Sequence, residues 1–235
     1  MDLLRDKCDS GDCGERRRID CLVCFAVKEE IKYLSPPVEN QNGGRVSLLL
    51  TGIGRRNAAQ AIREALRTEQ PRVVLTCGFA GGLNPKLSVG SIVFDEDPGV
   101  GLKNDLIEMG ALPSRFYCSK RVAISAAEKQ SLWLSTGADA VEMESSVIRT
   151  ICRELHIPSA TIRVISDTAH DDLPLDFNAM MTADDRINYL KLLWAMITSP
   201  RRVPKLIEFQ KQTIEAAKAL GALLEELLAP RRRAF

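Results

Sequence analysis

Arg72-Val73-Val74-Leu75-Thr76-Cys77-Gly78-Phe79-Ala80-Gly81-Gly82-Leu83 is the stretch on which the fold turns. Residues 72–77 are a short, near-continuous apolar run, which suits a strand covered on both faces. The three glycines packed into the next five positions suit either a tight turn or a backbone that a neighbour approaches closely. Working outward, similar runs fall at 19–27, 45–51, 91–94, 138–143 and 160–165. Between them, 58–67 and 144–155 have the length and composition of packing helices. From Pro204 onward Ile207, Ile214, Ala217, Gly221, Leu224 and Leu228 recur at helical spacing, with Pro230 just past the end. Strand alternating with helix predicts an α/β architecture with a largely parallel sheet. The irregular stretches 95–119 and 167–185 are where such a fold builds a site.

Composition narrows the function. Of 235 residues, 45% are hydrophobic and 27% charged, with 32 Lys and Arg against 31 Asp and Glu, so there is material for a core and no basic excess to attract nucleic acid or an anionic membrane. The first 18 residues are polar and lack an apolar run. They are expected to form an extension preceding a single domain over 19–235, with no membrane insertion. Seven cysteines at irregular spacing predict a reducing, cytoplasmic setting.

Several motifs carry competing readings. Leu48 to Ala59 reads LLLTGIGRRNAA, but the third glycine of a dinucleotide fingerprint is missing, and Pro71-Arg72-Val73-Val74 stands where a ribose-binding acid belongs. What survives is a turn that delivers backbone N–H groups at a helix start, a place for an anion. Cys21 and Cys24 have half a metal-site spacing, with Cys8 and Cys13 upstream. Residues three apart on a strand point to opposite faces, however, so core positions fit them better. The acids Glu142, Glu144 and Asp167 fall at strand ends, with Glu29 and Glu30 just after the first strand. The carboxyl ends of parallel strands line the ligand crevice.

Taken together, Gly52-Ile53-Gly54, the GFAGGL at 78–83 followed by Val89-Gly90-Ser91-Ile92-Val93, the VEMES at 141–145 and the RVISD at 163–167 resemble the nucleoside phosphorylase and nucleosidase superfamily, in its motif order. The strongest likeness is to the methylthioadenosine/S-adenosylhomocysteine nucleosidases. AAEKQSLWLSTGADAVEMES, the Leu-Pro after Asp172 and the long C-terminal helix also look like the hopanoid-associated phosphorylases, whose implied substrate is adenosylhopane.

This resemblance implies a phosphorylase/hydrolase-like fold, a three-layer α/β/α domain with a mixed, mainly parallel central sheet, together with an adenine nucleoside as substrate, no metal or organic cofactor, and a homo-oligomer, dimer or larger. It implies Asp167 as the acid that protonates the purine at N7, with Ser166 beside it, and Glu30 as the base that activates water. Glu144 would bind the ribose hydroxyls, Met143 would pack beneath the sugar and Arg163 would order the acidic cluster. Glu142, Phe79, Ala80 and Gly81 complete the expected substrate contacts. Two places depart from the phosphorylases of the superfamily: Thr76 and Phe79 stand where Arg and Ser or Thr bind phosphate, which favours water as the acceptor. Arg55 and Arg56 keep phosphorolysis open as the alternative. Ser125-Ala126-Ala127-Glu128 replaces the nucleosidases' purine-side motif, and 95–122 is shorter than their counterpart, so a non-catalytic nucleoside-binding protein is the third reading.

Overall fold

The computed structural model describes residues 17–35, 45–180 and 203–229. Among these, eight strands form one sheet: β1 (Arg17–Phe25), β2 (Val46–Leu50), β3 (Glu69–Gly82), β4 (Ile92–Glu96), β5 (Leu112–Pro113), β6 (Phe116–Cys118), β7 (Ala140–Glu142) and β8 (Ser159–Asp167). The order is β2-β1-β3-β8-β4-β5, with β7 joining β3 and β6. The β4–β8 and β3–β7 pairs are antiparallel, and the other described pairs are parallel. The sheet is therefore mainly parallel, as the alternating pattern predicts, and mixed, as the resemblance implies.

Helices cover both faces. The long α7 (Val203–Leu228) packs Ala216, Leu220, Leu223 and Leu224 against Val23, Phe25, Leu75, Phe94 and Ile162. That buried set sits slightly off the expected stripe, and Ile207 is 48% exposed. On the other face, α2 (Gly54–Thr68) and α5 (Ser145–Glu154) place Ala58, Ile62, Leu66, Ile148 and Ile151 over Ile19, Leu22, Cys24 and Val74. Cys21 belongs to the first core cluster and Cys24 to the second, so the two thiols do lie on opposite faces. Burial holds Cys21 up to about 12 and Cys24 well above its ordinary value. Cys8, Cys13 and nearly all of the expected N-terminal extension lie outside the described residues, and β1 begins one residue inside that extension.

The remaining helices are α1 (Lys28–Ile31) and α4 (Ala126–Thr136) and, within the stretches that read as irregular, α3 (Lys103–Glu108) and α6 (Phe177–Met180). One difference from the sequence pattern matters for the site. The strand β3 does not stop at Cys77 but continues through the glycines to Gly82, paired with β8, with a register shift at Ala80/Gly81. Gly78 is there for close approach rather than for a turn. Its φ is 146°, and a Cβ on it would meet Glu30 Oε1 at 2.2 Å and Arg163 Nη1 at 2.7 Å.

Candidate active site

The strand following β1 in the chain, β2, lies on one side of it, and β3 lies on the other. This is a topological switch point, where the two chain directions diverge and open a crevice beyond the strand ends. Glu30, in α1 just past β1, closes the gap: Oε2 accepts from the N–H groups of Ala26 at 2.8 Å and Val27 at 3.0 Å, and Oε1 accepts from Phe79 N–H at 2.8 Å. It is 3% exposed. Burial raises its pKa above the ordinary 4.5, against the opposing pull of Arg163 and the three backbone donors.

The E-M-E segment ends β7 and opens α5. Glu142 accepts from Glu144 N–H at 2.9 Å, from Ser145 N–H and Oγ at 2.7 and 2.8 Å, and from Arg163 Nη2 at 2.7 Å. Burial, which alone would raise it, is outweighed by Arg163 and these donors, so its pKa is lowered. Glu144 Oε1 accepts from Gly54 N–H at 2.9 Å, and its Oε2 lies 3.5 Å from Arg163 Nη2. The N–H offered by the Gly-Ile-Gly turn is thus taken by an internal carboxylate. Burial raises Glu144 to about 7, with Arg163 opposing and Glu142 adding to the rise. Arg163, on β8 and 1% exposed, is the cation these carboxylates share, and its Nε has no hydrogen-bond partner.

At the end of β8, Ser166 Oγ donates to Asp167 Oδ1 at 2.7 Å, and Lys129 Nζ lies 2.5 Å from Asp167 Oδ2. The bulge in β3 makes room for this acid: a Cβ on Gly81 would meet Asp167 Oδ2 at 3.3 Å, and one on Gly82 would meet Asp167 O at 3.2 Å.

Glu30, Glu142, Met143, Glu144, Ser166, Asp167, Phe79, Ala80 and Gly81 all border one cavity of about 1270 Å³. Of the residues singled out in the sequence, Arg163 is behind the wall rather than in it. Thr76 is 1% exposed and its hydroxyl is 3.2 Å from that of Thr161. Arg55 and Arg56 are exposed and do not border the cavity. The sequence reading missed the far end of the cavity, where Leu206, Phe209 and Ile214 of α7 face Phe177 and Leu173; the Phe177 and Phe209 rings lie 5.8 Å apart. Periodicity marks α7 as a packing helix without saying that its first turns line a pocket. The segment carrying α6 is tied down by Asn178, whose amide pairs with both the N–H and the C=O of Val122, at 2.8 and 2.9 Å.

Comparison with known proteins sets this geometry in context. A methylthioadenosine/S-adenosylhomocysteine nucleosidase of Anoxybacillus flavithermus is 27% identical, the match covering 69% of this chain and 91% of that protein. The futalosine hydrolase of Helicobacter pylori has a similar fold, with a TM-score of 0.63 at 15% identity over 90% of this chain and 97% of the other. The Campylobacter jejuni methylthioadenosine/S-adenosylhomocysteine nucleosidase gives 0.60 at 19% identity over 89% and 98%. The Phosphorylase superfamily profile matches residues 29–97 and 112–229, a span that holds Glu30, the β3 glycines, the E-M-E segment and the Ser166–Asp167 pair, and the chain belongs to that superfamily.

Proposed function

We propose that the protein is a nucleosidase that hydrolyses the N-glycosidic bond of an adenine nucleoside carrying a 5' substituent, of the methylthioadenosine, S-adenosylhomocysteine or adenosylhopane type, and releases adenine. The observation that carries this reading is the convergence of Glu30, Glu144 and Asp167 from three different strand ends on one cavity. Breaking the bond needs a proton for the departing base, stabilisation of an oxocarbenium-like sugar and an activated water, and carboxylates suit all three tasks. In this reading Asp167 gives its proton to purine N7 as the C1'–N9 bond breaks and the bonding pair moves into the base. Glu30 takes a proton from the water whose oxygen bonds to C1'. Glu144 holds the ribose hydroxyls, Met143 packs beneath the sugar, and Phe79, Ala80 and Gly81 supply wall. Glu142, with four protein donors already on its carboxylate, acts by holding Glu144 and Arg163 in place. The apolar end formed by α7 and Phe177 favours an apolar 5' group.

Phosphate as co-substrate is disfavoured by three features. The Thr76 hydroxyl is committed to Thr161, the Phe79 N–H is committed to Glu30, and Arg55 and Arg56 do not border the cavity. Residues 19–235 serve in this reading as one catalytic domain of a cytoplasmic homo-oligomer, which sedimentation velocity tests. The chemical test is chromatography of adenine released from 5'-methylthioadenosine with and without phosphate, followed by assay of the sugar. Adenine with free methylthioribose in phosphate-free buffer is the expected result. Strict phosphate dependence with a ribose 1-phosphate product would overturn it in favour of a phosphorylase.

A further inference from the structure

Lys129 sits in α4 among the polar residues Glu128, Gln130 and Ser131, yet its side chain is fully buried. Its ammonium contacts Asp167 Oδ2 at 2.5 Å, Thr168 O at 2.8 Å and Asp171 O at 2.9 Å. An ammonium has three N–H donors and no acceptor, so these partners use every one of them. A charge removed from water in this way is tolerated only when it is paired and hydrogen-bonded. Two of the partners are carbonyls of the loop after β8, which is folded back by Asp171 Oδ2 accepting from Thr168 N–H at 2.8 Å and Oγ1 at 2.7 Å. The third is the acid of the proposed reaction. Lys129 itself does not border the cavity, whereas Asp167 does, so the lysine acts from behind the acid.

We infer that Lys129 is the positioning residue of Asp167. It fixes the plane of the carboxyl group and reserves Oδ2 as an acceptor, so that the transferable proton is carried on Oδ1, the oxygen shared with Ser166. This inference rests on the reading of Asp167 as the proton donor. The Oδ1–H bond breaks as N7–H forms, while C1'–N9 breaks with its electron pair moving into the base. Nζ keeps all three of its protons, and the carboxylate charge that appears on Asp167 develops against a fixed ammonium, where a preorganised opposite charge is most effective. A lysine that only fastened α4 to the following loop would need the two carbonyls and not the acid.

The test compares wild type, Lys129→Met, Asp167→Asn and the double variant on two substrates. One is 5'-methylthioadenosine, whose base needs a proton to leave. The other is 4-nitrophenyl β-D-ribofuranoside, whose phenolate leaves without one. Lys129→Met is expected to lose about a hundredfold or more in kcat on the nucleoside with KM little changed, to keep most of its rate on the aryl riboside, and to add nothing to the loss in Asp167→Asn. A wild-type rate on the nucleoside, an equal fall on both substrates, or full additivity with Asp167→Asn would overturn the inference. If melting shows that Lys129→Met is unfolded, Lys129→Gln, which keeps N–H donors for the loop carbonyls, is judged by the same criteria. A wild-type enzyme inert on both substrates would instead bring down the nucleosidase reading itself, and this inference with it.

Discussion

At the scale of single residues, the two carboxylates with raised pKa values make activity depend on pH in a definite direction. Burial lifts Glu144 to about 7 and lifts Glu30 above 4.5, while their proposed tasks, binding ribose hydroxyls and accepting a proton from water, need the ionised form. Accordingly kcat/KM for the nucleoside should fall as pH drops below about 7. Glu144→Gln should lose that inflection while the dependence due to Glu30 remains. A profile of adenine release between about pH 5 and 9 reads this, and an inflection near 7 that survives in Glu144→Gln would assign it to another group. Asp167→Asn should lose about a hundredfold to ten-thousandfold in turnover and still fold, because the amide oxygen can accept from Lys129 Nζ. The adjacent pairs Glu142–Glu144 and Ser166–Asp167 were legible because strand-end acids in a recognisable motif stand out in the chain. Lys129 was not, since Ala126-Ala127-Glu128-Lys129-Gln130 spells an ordinary solvated helix. Its burial depends on partners about forty positions away. Glu142 was legible as an acid in the site, but not as one saturated by protein donors.

At the scale of elements, the strands and the three large helices could be read because burial on both faces writes long apolar runs and amphipathic stripes. The stretch 95–119 could not, because β5 and β6 span only two and three residues and α3 six, too short for any period to emerge. The glycines misled for a physical reason: glycine usually weakens a strand, yet β3 runs through them because Glu30 and Arg163 press against the backbone at Gly78. Helix α7 offers a test of packing against propensity. Gly221 sits where a Cβ would lie 2.5 Å from Tyr33 O and 2.9 Å from Tyr33 C. Propensity alone says that Gly221→Ala should stabilise the helix by about 1 kcal/mol. A backbone neighbour cannot rotate away as a side-chain tip can, so overpacking costing about 1–3 kcal/mol should prevail. The expected outcome is a lower melting temperature for Gly221→Ala, and an increase would show that α7 shifts freely against the residues following α1.

At the scale of the whole molecule, the α/β/α layering has the consequence that charged groups gather at both ends of the sheet, buried at one and part-exposed at the other. At one end are Glu30, Glu142, Glu144 and Arg163. At the other, Arg149 bridges Asp95 and Asp97, and Ser159 Oγ donates to Asp97 at 2.6 Å. The carboxylates with lowered and with raised pKa values act on stability in opposite directions. Among the described residues, no helix is long and apolar enough to cross a membrane. Glu142 and Asp97 have lowered pKa values, both by hydrogen bonds and arginine charges that overcome burial. Their contribution is complete above the ordinary carboxylate range and is lost as pH falls through their lowered values. Glu144 is raised to about 7, so between 4.5 and about 7 the folded chain holds on it a proton that the unfolded chain has released, and Glu30, also raised, acts in the same sense. Stability therefore declines as pH rises through that window. Above pH 9 the thiols of buried Cys21 and Cys152 and half-buried Cys118, each held up to about 12, extend the decline in the same sense. The melting temperature should thus be highest near pH 5 and fall toward pH 8. For Glu144 alone the full shift corresponds to about 3 kcal/mol, or several degrees in a chain of this size. Glu144→Gln, which still accepts from Gly54 N–H but cannot ionise, should therefore gain on wild type steadily between pH 5 and 8. A constant difference between the two melting curves across that range would mean that Glu144 ionises as readily in the folded chain as in the unfolded one.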